Sequence, residues 1–82
     1  MTDKTIKKRD YTPEETAFAV FCIENTAREL KVDAKAVYDA WTKASDILEG
    51  YIIPCYEALH TQGKEYIVQD LLELMRERGI KL

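Results

Sequence analysis

The chain has 82 residues, 46% of them apolar and 33% charged, with 12 basic and 15 acidic side chains for a net charge of −3. That composition describes one small folded domain and excludes a disordered chain. The mild acidity argues against a protein that coats nucleic acid with its whole surface.

A domain of this size buries only about 60% of the surface its unfolded chain exposes, so its core must be efficient or a partner must help to cover it. The first eleven residues, "MTDKTIKKRDY", show no apolar periodicity. They read as a flexible basic arm, residues 1–11, in which Lys4, Lys7, Lys8 and Arg9 are either solvated or placed to touch phosphate or an acidic partner. Residues 12–82 then form a single helical domain.

A strong helix start follows the arm. Thr12 suits the N-cap, Pro13 the first helical position, and Glu15 stands three residues after Thr12 as a capping box requires. The first predicted helix covers about 13–31, with Phe18, Phe21, Cys22, Ile23 and Leu30 among its apolar residues. In "KVDAKAVYDAWTKAS" Asp33 is a cap candidate, and Val37, Ala40 and Trp41 recur at helical spacing, which predicts a second helix over about 34–44.

The next stretch, "SDILEGYIIPCYEALHTQG", is interrupted by Gly50 and Pro54. Pro54 cannot donate to the carbonyl of Gly50. The favoured solution is a one-turn helix at 46–49, capped by Ser45 or Asp46, and a third helix from about 51 to 61. The other solution is one helix kinked near Gly50. Gly63 is expected to take the left-handed conformation that ends a helix.

The fourth predicted helix covers about 64–78, with Arg76 and Arg78 in its last turn and Gly79 just after. Ile67, Leu71 and Leu74 form one stripe on it and Val68, Leu72 and Met75 the adjacent one. Such a broad face implies either neighbours on both sides or spare surface for a second chain. The expected fold is all-α, a small compact bundle of three to four main helices with short connections.

The chemistry-bearing residues exclude more than they suggest. Cys22 and Cys55 are far apart among apolar neighbours and read as buried free thiols in a reducing compartment. The charged N-terminus lacks the apolar stretch of a secretory signal, and the longest apolar run, "AFAVFCI", is far too short to span a membrane. The expectation is a soluble cytoplasmic protein with no membrane association. Cys22, Cys55 and His60 lack metal-ligand spacing and a fourth ligand. Five residues separate Cys55 from His60, which puts them about 140° apart on a helix, too far round to act as a nucleophile pair. There is no Gly-rich phosphate loop and no evident carboxylate pair, so neither enzymatic activity, nor a cofactor, nor a small-molecule ligand is expected.

The corner "HTQGK" with its flanking tyrosines is the remaining candidate. It is either a plain helix–helix corner or a recognition patch of Tyr56, His60, Gln62, Lys64 and Tyr66 for a protein. A second possibility is a helix-turn-helix DNA-binding regulator built on the second helix and the segment after it, with the basic arm on phosphate. Against it, "SDILEGYIIPCYEALH" carries Asp46, Glu49 and Glu57 but no Lys or Arg, whereas a recognition helix carries groups that reach bases and phosphates.

The stretch "GYIIPCYEALHTQGKEYIVQD", residues 50–70, together with "FAVFCIEN" and "VYDAWTKASDIL", resembles a small bacterial family called domain of unknown function 3791. The resemblance spans about residues 13–78. It implies a small stand-alone helical protein, and some members lie beside toxin-like proteins with an ADP-ribosyltransferase-like domain. The resulting expectation is a protein-interaction module, antitoxin-like or accessory, that binds a partner or a second copy of itself. The resemblance assigns a role to no residue.

Overall fold

The computed structural model describes residues 11–82. The predicted arm with Lys4, Lys7, Lys8 and Arg9 lies outside the described residues, apart from Tyr11. The described chain is all-α, in the order α1 (Pro13–Leu30), α2 (Ala34–Thr42), a π-helical turn (Leu48–Ile52), α3 (Tyr56–Leu59) and α4 (Lys64–Glu77).

The start of α1 is the capping box expected from its sequence. Thr12 Oγ1 accepts from the Glu15 N–H at 3.0 Å, and Glu15 Oε1 accepts from the Thr12 N–H at 3.1 Å. Two of the orphan donors of the helix N-terminus are thereby satisfied. The start of α2 departs from expectation. Asp33 does stand at the N-cap, but its side chain makes no capping bond. Its backbone carbonyl begins the helix instead, accepting from Ala36 and Val37. The helix also stops earlier than position 44. The N–H groups of Lys43 and Ala44 both turn to the Asp39 carbonyl, and Ser45 Oγ donates to the carbonyl of Ala40 at 2.8 Å. That hydroxyl also accepts from the Ile47 N–H at 3.4 Å, so Ser45 closes one element and opens the next.

Between α2 and α4 the fold differs most from the sequence prediction. There is no one-turn helix at 46–49 and no third helix over 51–61. A five-residue π-turn passes straight through Gly50, the chain breaks at Ile53–Cys55, and α3 is four residues long. The interruption therefore sits at Pro54 rather than at Gly50. In α-geometry the Pro54 ring would press on the Gly50 carbonyl and offer it no donor. The backbone widens instead, and the Ile53 N–H reaches the Leu48 carbonyl at 3.1 Å, a five-residue step. Four-residue spacing returns with the Cys55 N–H on the Tyr51 carbonyl at 3.0 Å. A Cβ at Gly50 would lie 2.5 Å from Asp46 Oδ2, so a larger residue there would displace the exposed Asp46 carboxylate.

Gly63 also departs from expectation. It is extended, with φ −72°, and serves as the N-cap of α4 rather than as a left-handed helix end. The left-handed glycine is Gly79, at φ 74°. There the Ile80 N–H bonds the Met75 carbonyl and the Gly79 N–H bonds that of Arg76, the paired bonds of a Schellman ending. The same motif ends α1, where the Val32 N–H bonds Ala27 and the Lys31 N–H bonds Arg28. Here the left-handed position is held by Lys31, at φ 61°.

Helix α1 packs against both α2 and α4 and is the element shared by the two interfaces. The fully buried side chains Val37, Trp41, Ile47, Ile52, Leu71 and Cys22 come from every described helical element except α3. Each of the larger ones contributes about 1.5–3 kcal/mol by leaving water. The broad apolar face of α4 is covered within the chain, because Ile67, Val68, Leu71 and Met75 are buried and Leu72 and Leu74 partly so. Thr26 is fully buried too, and its hydroxyl has no hydrogen-bond partner.

A lysine in the left-handed region meets a steric cost at Cβ that glycine avoids, set against glycine's greater loss of freedom on folding. Lys31→Gly is therefore expected to raise stability by about 0.5–1 kcal/mol, read as a higher denaturant midpoint with an unchanged slope. A lower midpoint would mean that the lysine side chain contributes more than its backbone conformation costs.

Candidate functional site

The predicted patch divides when its residues are placed. Tyr56 and His60 are four apart across the short α3, and their rings stack with centroids 4.3 Å apart and planes at 6°. His60 Nδ1 donates to the Tyr56 carbonyl at 2.8 Å, which fixes the imidazole over the phenol. Phe18 of α1 meets the Tyr56 ring edge-on at 5.5 Å, and Phe21 lies 6.1 Å beyond Phe18. Three of the four rings run from the core outward: Phe18 is buried, Tyr56 half-buried and His60 exposed, with half-buried Phe21 on the other side of Phe18. Edge-on and offset ring pairs of this kind add about 0.5–1.5 kcal/mol to area burial.

Gln62, Lys64 and Tyr66 are exposed on the corner and the first turn of α4. Thr61 anchors the corner by donating its hydroxyl to the Ala58 carbonyl at 3.0 Å. Tyr66, 57% exposed, is the most exposed large hydrophobic side chain among the described residues. Its surroundings differ from those of Tyr56. Four residues further along α4 is Asp70, whose Oδ2 accepts from the Tyr51 hydroxyl at 2.5 Å. Tyr51 is carried by the π-turn, with Cys55 one turn after it. The hydrogen bond to Asp70, burial, and then the charge of Asp70 push the Tyr51 phenol well above the ordinary tyrosine value, with Cys55 and Tyr66 as lesser contributors.

Sequence reasoning missed this second group. Nineteen residues separate Tyr51 from Asp70, and only the π-turn aims one at the other. The π-turn segment also holds the other side-chain hydrogen bonds that join distant parts of the described chain. Arg78 Nη1 donates to Asp46 Oδ1 at 2.8 Å, and the Tyr11 hydroxyl donates to Glu49 Oε2 at 2.8 Å. The Arg78 guanidinium beside Asp46 holds its carboxyl below the usual carboxylate range. A further surface also went unread. Val20 and Tyr38, 45% and 47% exposed, border a groove of about 660 Å³ between α1, α2 and the π-turn, with Ile23, Trp41 and Leu48 among its lining. The alternation of the two helices hides it, because each residue looks like an ordinary solvent-side position in its own helix.

The thiols are not equivalent. Both are free, but Cys22 is fully buried while Cys55 is only half-buried, against the expectation that both would be buried. Burial pushes the Cys22 thiol up to about 12. Among the described residues no three His, Cys, Asp or Glu side chains come together as a metal site would need, and no helix is long and apolar enough to cross a membrane. The helix-turn-helix alternative would need a continuous reading helix after α2. That segment is instead divided into the π-turn and the four residues of α3.

The structure defines the protein as a small all-α domain with an aromatic, polar surface around the corner between α3 and α4. The family model described as "Protein of unknown function (DUF3791)" matches residues 17–78, and the chain belongs to that family. Neither the curated proteins nor the solved structures contain a match to it.

Two outcomes follow from this geometry. Iodoacetamide applied to the native protein is expected to give one adduct, on Cys55, with Cys22 alkylated only after unfolding. Equal labelling of both would mean that the core opens on the timescale of the reaction. For Tyr51, the folded state holds the phenolic proton more tightly than the unfolded chain does. The stabilisation is therefore complete below the unfolded value of about 10 and is lost as pH rises through the folded value. Tyr51→Phe is expected to cost about 1 kcal/mol at neutral pH. The gap in denaturant midpoint between the two proteins should hold to about pH 9 and narrow above about pH 10. A gap that stays constant through the alkaline range would exclude the Tyr51–Asp70 bond as its source.

Proposed function

We propose that this protein is a small non-enzymatic interaction module, an antitoxin-like or accessory partner of a toxin-like protein, working in the cytoplasm with its thiols reduced. The observation that carries the reading is the solvent-facing aromatic corner: the stacked Tyr56–His60 pair with exposed Gln62, Lys64 and Tyr66 beside it. Rings held rigid before binding lose little freedom on association, and tyrosine offers both an apolar face and a hydrogen-bonding tip. The apolar face of α4 adds nothing to this reading, because the chain covers it itself. A DNA-reading role draws less support, since residues 45–60 carry three acids and no Lys or Arg.

The test is recovery of the tagged protein from its native host, with co-purifying protein and nucleic acid both measured. A stoichiometric protein partner is expected. The double variant His60→Ala, Tyr66→Ala should recover at least tenfold less of it, a loss of about 1.4 kcal/mol or more. Both side chains are exposed, so the variant should keep its stability to within about 1 kcal/mol. A strictly monomeric protein with no partner would sink the proposal. Nucleic acid retained through moderate salt with no protein partner would replace it by the DNA-binding reading.

A further inference from the structure

Some acidic side chains among the described residues pair with cations, and others, including Glu15, Glu49 and Asp70, accept hydrogen bonds from neutral groups only. Asp39 faces two lysines, Lys35 at 2.9 Å and Lys43 at 3.5 Å, and Asp46 and Glu73 each pair with an arginine. Asp70 is of the second kind. It is partly buried between the π-turn and α4, it accepts a hydrogen bond from the neutral Tyr51 hydroxyl, and among the described residues it forms no ion pair. No Lys or Arg occurs between Lys43 and Lys64, so the π-turn and α3 bring none to this side. On α4 the nearest arginine toward the C-terminus, Arg76, is engaged by Glu73.

Two tyrosines are placed near Asp70, one by the fold and one by helical spacing. Tyr66 precedes it by four residues, one turn away on the same face of α4, and stands well out into solvent. Tyr51 meets it from the opposite element and holds Oδ2, which leaves Oδ1 to accept from another donor. A carboxylate held by one phenol hydroxyl, with an exposed tyrosine one helical turn away, matches a flat cation that can lie on a ring face while donating edge-on to oxygen.

We infer that Tyr51, Tyr66 and Asp70 form a receptor for an arginine side chain presented by a partner protein. This rests on the interaction-module reading and names the chemistry its partner must bring. Arginine fits better than lysine because the guanidinium is planar, stacks on aromatic rings and donates in a fork, whereas an ammonium is a compact and strongly hydrated point charge. A single carboxylate with phenols does not make a metal site. The Tyr51 hydrogen bond prepares the site: it fixes the carboxylate rotamer before the guanidinium arrives, so little ordering is left to do on binding.

The probe is N-acetyl-arginine amide, with the isosteric neutral N-acetyl-citrulline amide as control. Each is titrated into the whole protein and followed by amide chemical shifts. Saturable shifts are expected at Tyr51, Tyr66 and Asp70 with arginine. Citrulline should give none that saturate. Asp70→Asn keeps the shape and an acceptor for Tyr51, so it should fold normally and yet weaken arginine binding at least tenfold. Tyr66→Leu should weaken it about threefold, the worth of an exposed ring–cation contact. Equal responses to arginine and citrulline would overturn the inference. So would arginine shifts undiminished by Asp70→Asn, or shifts spread without saturation over the acidic surface. The native-host recovery separates this inference from the broader reading. A protein partner captured equally by wild type and Asp70→Asn would overturn the arginine receptor and leave the interaction module standing. Capture lost selectively in Asp70→Asn would support both.

Discussion

Pro54 sets the constraint on which the second half of the structure depends. It lacks the N–H that a continuing α-helix would give to the Gly50 carbonyl, and its ring occupies the space where that carbonyl would sit. The chain answers with a wider turn, closed by the Ile53–Leu48 bond. An extra residue per turn rotates everything that follows. Ile52 remains in the core, fully buried, while Tyr51 reaches Asp70 of α4 and Glu49 reaches Tyr11. A regular helix would keep the core residues at three- and four-residue spacing but would send Tyr51 elsewhere. Irregular turns of this type often accompany functional positions because they re-aim a side chain at little cost to the core.

How much of this could be read from the sequence follows from how local each signal is. The start of α1 is written within four residues, Thr12 to Glu15, and its hydrogen bonds are those the pattern implies. The end of α4 at Gly79 is equally local. Asp33 and Gly63 show the limit of such signals. An aspartate at an N-cap does not oblige its side chain to bond, and glycine at a corner serves an extended N-cap as readily as a left-handed C-cap. The segment from Ser45 to Gly63 was least legible, because two breakers four residues apart admit several solutions. The choice among them is made by Ile47, Leu48, Ile52 and Ile53 all reaching the core, which no local rule states.

The candidate site divides along the same line. Tyr56 and His60 stack because they are one turn apart, so their meeting could be anticipated from spacing. Their support by Phe18 could not, since it depends on how α3 lies against α1. The Tyr51–Asp70 pair was invisible for the same reason, with the added requirement of the π-turn. Tyr66 belongs to both descriptions. Sequence proximity puts it with His60 and Lys64, whereas helical phase puts it with Asp70. The aromatic corner and the lone carboxylate are therefore adjoining parts of one surface, reached over the first two turns of α4.

The long-range polar bonds of this fold contribute little to its stability. Asp46 is 73% exposed beside Arg78, and pairs that open to water are worth about 0–1 kcal/mol. The bonds of Glu49 and Tyr51 lie at or near the surface too. Stability resides instead in the apolar layer of Val37, Trp41, Ile47, Ile52 and Leu71, at about 1.5–3 kcal/mol for each large side chain buried. The core places the π-turn, and the surface bonds join its segment to Tyr11, Asp70 and Arg78. Core and surface thus have separable tasks in this domain: the core makes it fold, and weak polar bonds tie down the segment around the π-turn.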